Sequence, residues 1–113
     1  MHEVSLCEGI LQIVEEQARS SAAGRVRTIW LEVGQLAGVE LSALRFGFEV
    51  VTRGSVAEGA RLEIVERPGR AWCLPCGEAI ALSGRQEPCP LCGSHQLQVI
   101  GGEELRVVEM EVA

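Results

Sequence analysis

Residues 73–77 read Cys-Leu-Pro-Cys-Gly and residues 89–93 read Cys-Pro-Leu-Cys-Gly. Each Cys-x-x-Cys pair is expected to place two thiolates on one tight turn, and the following glycine lets backbone N–H groups point at sulfur. Two such turns with a dozen residues between them are typical of a tetrahedral zinc site. The sequence therefore predicts a structural Zn²⁺ bound by Cys73, Cys76, Cys89 and Cys92. A closed site of this kind leaves the function of the protein open.

The rest of the sequence predicts the cellular compartment in which these cysteines function. The N-terminus lacks the basic segment and apolar stretch of a secretory signal, and no apolar run approaches the roughly 20 residues that span a bilayer. We therefore expect a cytoplasmic protein without a membrane partner. Thiols stay reduced in the cytosol, so paired cysteines favour a metal over disulfides. The fifth cysteine, Cys7, falls in a helical apolar pattern and is expected to be a small buried residue.

The composition is acidic, with a net charge of -6 that arises from sixteen Glu and ten Arg, and it contains no Asp, Lys, Asn or Tyr. Four thiolates on one zinc ion would add about two further negative charges. This balance argues against nucleic acid as a partner. The length of 113 residues suits one domain with a real core.

Apolar spacing predicts two helices and two strands before the first cysteine pair. The first helix is expected over residues 5–22, with a capping box formed by Ser5 and Glu8. A half-buried strand follows over 26–33, since its apolar residues alternate with polar ones. The second helix is predicted over 41–53, and a second strand over 62–65.

The final segment predicts the domain organisation. Residues 105–112 alternate as a strand does and need a sheet to join, which the small region around the cysteines does not offer. We therefore expect the chain to return to its first domain, formed by 1–68 plus 103–113, with 69–102 inserted as a zinc-binding module. The predicted fold class is α+β: two helices packed on a small mixed or antiparallel sheet, with an inserted zinc-ribbon-like module that carries the four cysteines.

The N-terminus, Met1-His2-Glu3, offers a second kind of metal chemistry. A terminal amine, the amide nitrogens of His2 and Glu3 and the Nδ1 of the His2 imidazole can reach one ion and close small chelate rings. Nickel(II) and copper(II) are the divalent ions that prefer such tetragonal nitrogen sets.

These features together resemble the HypA/HybF family of nickel metallochaperones. The resemblance rests on Met1-His2-Glu3, on Leu31 to Gly34 leading to Val39-Glu40, on the stretch from Phe46 to Glu49, and on the two cysteine pairs. It covers nearly the whole chain, and only the combination is specific.

The resemblance implies a function and a set of site residues. The protein is expected to bind nickel as cargo and deliver it to the large subunit of NiFe-hydrogenase, without catalysis. The implied nickel ligands are His2, the Met1 amine, the backbone around Glu3, and the Glu40 side chain. The implied partners are a HypB-like maturation GTPase and the hydrogenase large subunit, and the chain is expected to be a monomer or a homodimer. Whether hydrogenase alone or also urease is served stays open.

Other interpretations remain beside this one. Glu40 is alternatively a solvated acid that favours the dipole of the second helix, and His95 is either a modulator of the zinc site or an exposed loop histidine. The chief rival function is a zinc-ribbon module for nucleic acid or protein interaction, although residues 69–102 contain balanced charge and one aromatic residue. An enzyme is disfavoured by the closed site and by the shortage of acid/base residues. A rubredoxin-like iron site is a further possibility.

Overall fold

The computed structural model describes the backbone from residue 2 to residue 113 and the side chains from residue 3 onward. Two helices and six strands follow one another in this part of the chain. They are α1 (His2–Ser20), β1 (Val26–Gly34), α2 (Leu41–Val51), β2 (Arg61–Arg67), β3 (Arg70–Cys73), β4 (Glu78–Ala81), β5 (Leu97–Gly101) and β6 (Leu105–Val112).

Helix α1 begins three residues before the predicted capping box. It starts at His2, so Ser5 and Glu8 lie inside the helix, and the prediction that they form its N-terminus is wrong. The first turn packs on α2, and this tertiary contact extends the helix beyond its local signal. The buried face follows helical spacing through Cys7, Ile10, Val14 and Ala18.

Helix α2 begins at an N-cap provided by Glu40. The Glu40 carboxylate accepts hydrogen bonds from the backbone N–H groups of Ser42 and Ala43, which have no acceptor within the helix. The helix buries Leu44, Gly47 and Phe48 and ends before the predicted residue 53, with Thr52 as its C-cap.

The first sheet has three strands in the order β2-β1-β6. Ile29 and Leu31 on the central strand β1 are fully buried, as the alternation predicted. The opposite face was expected to be solvated, and there the prediction is wrong because Thr28 and Glu32 are also buried. The Thr28 hydroxyl donates to Glu111 on β6 at 2.8 Å, which satisfies it away from water. Strand β6 joins this sheet, so the chain does return to the sheet of β1.

The second sheet is antiparallel and has the strand order β4-β3-β5. Its small core contains few large apolar side chains and includes two of the metal-ligand candidates. The buried members are Leu36, Ala71, Cys73, Ile80, Leu82 and Cys89. A core of this size needs a further source of stability, and small domains of this kind use a structural metal for that purpose.

Three glycines meet where the second sheet joins its flanking segments. A Cβ atom at Gly34 would overlap the backbone oxygen of Gly102, and one at Gly69 would overlap the backbone oxygen of Leu82. Gly102 has a φ of 96°, and a Cβ there would lie 2.5 Å from the Cα of Gly69. The backbones can approach this closely only because side chains are absent.

The chain forms two compact units. One contains residues 1–31, 39–65 and 106–113, and the other contains 32–38 and 66–105. The predicted boundaries, 1–68 plus 103–113 and 69–102, remain a prediction. The predicted fold class is confirmed, since the structure has two helices, mixed or antiparallel sheets and a four-cysteine cluster.

Candidate metal centre

The four predicted cysteines come together at one point. Their sulfur atoms all lie within 4.8 Å of one another. The Sγ atoms of Cys73 and Cys92 are 3.6 Å apart, and those of Cys76 and Cys89 are 3.9 Å apart. Tetrahedral coordination with Zn–S bonds of about 2.3 Å requires sulfurs about 3.8 Å apart. The spacing therefore fits a tetrahedral zinc ion.

Local backbone geometry holds each pair. In the first turn Gly77 has a φ of 67° and its N–H donates to the Cys73 carbonyl at 2.8 Å. In the second turn Gly93 has a φ of 76° and its N–H donates to the Cys89 carbonyl at the same distance. Both glycines take a left-handed conformation that other residues adopt only with strain. The turns are therefore formed by residues within five positions of one another.

The four thiols differ in exposure and in acidity. Cys73 and Cys89 are buried, Cys76 is half-buried and Cys92 is exposed. Burial raises the pKa of Cys73, and hydrogen bonds to the Cys92 and Cys73 sulfurs raise that of Cys76. Burial also acts on Cys89, but the N–H groups of Cys92 and Leu91 outweigh it and lower the pKa of that thiol to about 7. The N–H groups of the second turn therefore favour the thiolate form of Cys89, which is the form that binds metal.

The donor set and its spacing fit zinc. Four thiolates are the donors that select zinc or iron among biological metals, and a closed set leaves no coordination position for water. When bound, the ion supplies structural cross-linking of two turns. No other group of three or more potential metal ligands comes together in the part of the chain that the structure describes.

The predicted nickel ligands lie only partly within the described residues. Met1 and the His2 side chain lie outside them. Glu3 is described, and its carboxylate accepts a hydrogen bond from the backbone N–H of Glu40 at 3.3 Å. The structure thus brings together two of the four predicted residues, from positions 37 apart in the chain.

The Glu40 side chain is occupied in capping α2. The Ser42 hydroxyl donates to both of its carboxylate oxygens. The hydrogen bond from Ser42, followed by that from the Ala43 N–H, lowers the pKa of Glu40. The carboxylate is exposed and stays ionised, which gives the start of α2 a fixed negative charge.

Two residues support the first turn of α1, and this role was not predicted from the sequence for either of them. Cys7 was expected to be buried, and it is, but its Sγ also donates to the Leu44 carbonyl at 3.2 Å. Gly47 lies in the interior of α2, where glycine costs about 1 kcal/mol relative to alanine. A glycine inside a predicted helix therefore indicates close packing at that position, and this signal was available from the sequence.

His95 lies on the surface beside the second cysteine turn. Its ring is exposed, and it is absent from the group of potential metal ligands. The structure therefore does not place it in the four-sulfur centre.

Two helices on a three-stranded sheet, with a separate four-sulfur centre, define a small α+β metal-binding protein. The HypA family model, described as "Hydrogenase/urease nickel incorporation, metallochaperone, hypA", matches residues 1–112. The chain is 65% identical over 112 residues to the hydrogenase maturation factor HypA of Alkalilimnicola ehrlichii, covering 99% of each. It is 62% identical over the same length to the HypA protein of Azotobacter vinelandii, again covering 99% of each.

The fold is also similar to a solved structure, the solution structure of the Ni metallochaperone HypA from Helicobacter pylori. The TM-score is 0.69 at 22% identity, with 97% of this chain and 96% of that one covered. The chain belongs to the HypA family, a family of nickel metallochaperones in hydrogenase maturation, and the resemblance stated from the sequence is confirmed. Within the described residues, neither helix has the length and apolar character needed to cross a bilayer.

Proposed function

We propose that this protein binds nickel(II) through its N-terminus and delivers it to the large subunit of NiFe-hydrogenase. The ligands are the Met1 amine, the backbone nitrogens of His2 and Glu3, and the His2 imidazole. Glu40 contributes its carboxylate by giving up the hydrogen bond from the Ser42 hydroxyl to one of its oxygens. The four-cysteine centre holds a structural zinc ion. The protein is not an enzyme, because its part is to carry the metal and release it.

The contact between Glu3 and Glu40 carries this proposal. A divalent cation at the start of a helix meets the positive end of the dipole, so a nickel site there needs nearby negative charge. Two carboxylates stand at this point, since Glu3 accepts from the backbone N–H of Glu40. The first N–H groups of α1 have no acceptor within the helix, which leaves them available for deprotonation and binding to nickel.

Such a site is suited to release as well as capture. A terminal set of nitrogens exchanges its ligands one at a time with a receiving protein, whereas a buried site has to unfold first. Binding displaces protons from nitrogen, so nickel affinity falls as pH falls. We infer that the receiving protein is the hydrogenase large subunit in the cytoplasm, that a HypB-like GTPase takes part, and that the carrier is a monomer or a homodimer.

The test compares the two histidines of the chain. His2→Ala is expected to abolish tight nickel binding while zinc stays at one ion per chain, and one residue added before Met1 should do the same. His95→Ala is the matched control and should bind nickel as the wild type does. Metal content after exposure to nickel, measured by mass spectrometry on the untagged protein, decides the matter. Unchanged nickel binding in His2→Ala would refute the proposal.

Delivery is tested separately with the purified precursor of the hydrogenase large subunit. Nickel-loaded wild-type protein is expected to transfer its metal to the precursor, and the loss from one protein should equal the gain in the other. Transfer that is equally fast from free nickel in the presence of a chelator would contradict delivery by this protein. A gel-shift assay with DNA and RNA at moderate salt tests the rival zinc-ribbon function, and we expect no shift.

A further inference from the structure

The first two turns of α1 pack on α2 through a contact that a single glycine permits. Gly47 is buried in the middle of α2. A Cβ atom at this position would lie 3.2 Å from the Cys7 sulfur, 3.7 Å from a methyl group of Val4 and 3.8 Å from the Glu3 carbonyl oxygen. The first of these distances is shorter than an ordinary van der Waals contact. The glycine therefore sets how closely the start of α1 approaches α2.

Two hydrogen bonds hold the same contact, and both reach residues of α2 that precede the glycine. The Cys7 sulfur donates to the carbonyl of Leu44, one turn before Gly47, at 3.2 Å. The Glu3 carboxylate accepts from the N–H of Glu40, at the N-cap of α2. Cys7 is fully buried, so its thiol has no competing partner in water. The start of α1 is thus attached to the N-cap of α2 through Glu3, and to the first turn of α2 through Cys7.

We propose that Gly47 and Cys7 are positioning residues that hold the N-terminal turn of α1 beside the Glu40 cap and so set the nickel affinity of the N-terminus. This inference rests on the proposed function, since it assigns residues that support the same site. Neither residue touches the metal. Their effect is to keep the backbone nitrogens of residues 2 and 3 at a fixed distance from the two carboxylates before nickel arrives.

A contrast within the chain supports a role for Gly47 beyond that of a passive helix residue. Gly9 also lies inside a helix, and a Cβ atom there would have nothing within 4 Å. Alanine at Gly9 is therefore free of contacts and favours the helix. Alanine at Gly47 gains the same helix propensity but forces the Cys7 sulfur to move by a few tenths of an ångström. The two glycines form a matched pair that differs in the α1–α2 contact.

The variant Gly47→Ala is expected to bind nickel about tenfold more weakly, the size of effect typical of residues that orient metal ligands. Zinc should remain at one ion per chain. Gly9→Ala should bind nickel as the wild type does. The probe is nickel sulfate added to the full-length, zinc-loaded protein in competition with a chromogenic chelator, well below the unfolding temperature. Thermal unfolding by circular dichroism is measured on the same samples.

A compensating double variant separates positioning from general loss of stability. In Gly47→Ala/Cys7→Ala the methyl group added at 47 takes the space vacated by sulfur, so the volume of the contact is nearly conserved and the chain folds. Cys7→Ala alone removes the hydrogen bond to Leu44, so it is the reference for the double variant. We expect the double variant to bind nickel as Cys7→Ala does, because the methyl group at 47 no longer displaces a sulfur. A further loss of about tenfold relative to Cys7→Ala would overturn the proposal, as would a Gly47→Ala protein that binds nickel like the wild type.

His2→Ala distinguishes this inference from the proposed function. If His2→Ala loses nickel and Gly47→Ala does not, the nickel site stands and the positioning role is wrong. If His2→Ala binds nickel as the wild type does, the proposed site itself is wrong, and the positioning role is overturned with it.

Discussion

The four-cysteine centre and the start of α1 differ in how far along the chain their supporting contacts reach. Each cysteine turn closes through a hydrogen bond between residues four positions apart, from Gly77 to Cys73 and from Gly93 to Cys89. The start of α1 is held by contacts between residues 37 positions apart, from Glu3 to Glu40 and from Cys7 to Leu44. Each cysteine turn is organised locally, whereas the start of α1 is organised by tertiary packing.

This difference separates two requirements on a metal site. A structural zinc ion is retained, and rigid turns with buried sulfurs favour retention. A proposed cargo site has to release its ion, and a helix end held by a few hydrogen bonds can open locally at small cost. The following experiments are designed to break or sharpen this comparison, and they run from the largest expected effect to the smallest.

The largest effect is expected from Cys89→Ser. Loss of one thiolate should remove most of a zinc-binding free energy that is on the order of 10 kcal/mol in small zinc domains. Residues 69–102 should lose their order, since their core holds few large apolar side chains. Zinc content and the fluorescence of Trp72 measure the two effects, in a Trp30→Phe background that leaves Trp72 as the only tryptophan.

Cys7→Ser is the matched control for this substitution, because Cys7 is buried but outside the four-sulfur cluster. It should keep zinc and the Trp72 spectrum. Helical circular dichroism should persist in Cys89→Ser if the region of α1 and α2 is independent of zinc. Global unfolding of Cys89→Ser would show that the two regions depend on each other.

Gly34→Ala should be the next most damaging change. A Cβ atom at this position overlaps the backbone of Gly102, which cannot move aside as a side chain can. We expect a loss of about 3 kcal/mol in the free energy of unfolding, at the upper end for overpacking. Urea denaturation measures it, with Gly24→Ala as control because a Cβ at Gly24 meets nothing within 4 Å. Equal stability of the two variants would show that the close contact between Gly34 and Gly102 does not limit the residue at position 34.

Glu40→Gln should have a moderate effect that depends on pH. The hydrogen bonds from Ser42 and then Ala43 lower the pKa of Glu40 below its ordinary value of 4.5. A lowered carboxyl pKa contributes stability that is complete above the unfolded pKa and is lost as pH falls through the folded one. The wild type should thus unfold at a higher temperature than Glu40→Gln at neutral pH, and the difference should vanish in acid.

Thermal unfolding between about pH 3 and about pH 7 measures this difference, because this range extends to both sides of the ordinary carboxyl pKa. Glu49→Gln removes the same charge from an exposed position of α2 that is remote from its N-terminus, and it is the control. A constant difference across the whole range would show that the Glu40 charge does not stabilise the helix.

His95→Ala should have the smallest effect, with zinc content and zinc affinity unchanged. The ring is exposed and outside the group of sulfur ligands. Competition with a zinc chelator measures the affinity. A clear loss of zinc affinity would favour the other interpretation of His95, in which it modulates the zinc site.

Much of the fold could be predicted because the patterns that specify it are local. The alternation in 105–112 predicted β6 with its bounds, and the spacing of the cysteines predicted which residues cluster. The start of α1 could not be predicted in this way. Ser5 and Glu8 form a plausible capping box, but the helix continues to residue 2 because its first turn is packed on α2.

The burial of β1 on both faces escaped prediction for a related reason. Thr28 and Glu32 are polar, and alternation assigns polar residues to water. Their partners come from distant strands: Glu111 on β6 binds Thr28, and Arg67 on β2 forms an ion pair with Glu32 at 2.6 Å. A sequence pattern shows polarity, whereas pairing across a sheet depends on strand order.

The meeting of Gly69 and Gly102 has a consequence for how this chain can vary. The segment between them leaves and re-enters the backbone at almost one point, because a Cβ at Gly102 would lie 2.5 Å from the Cα of Gly69. A loop whose ends already touch can be lengthened, shortened or exchanged at a low entropic cost, about 0.6 kcal/mol for each doubling of its length. Chain closure therefore places little constraint on the length of the four-cysteine segment, and its main tie to the rest of the chain is the core that it shares with Leu36.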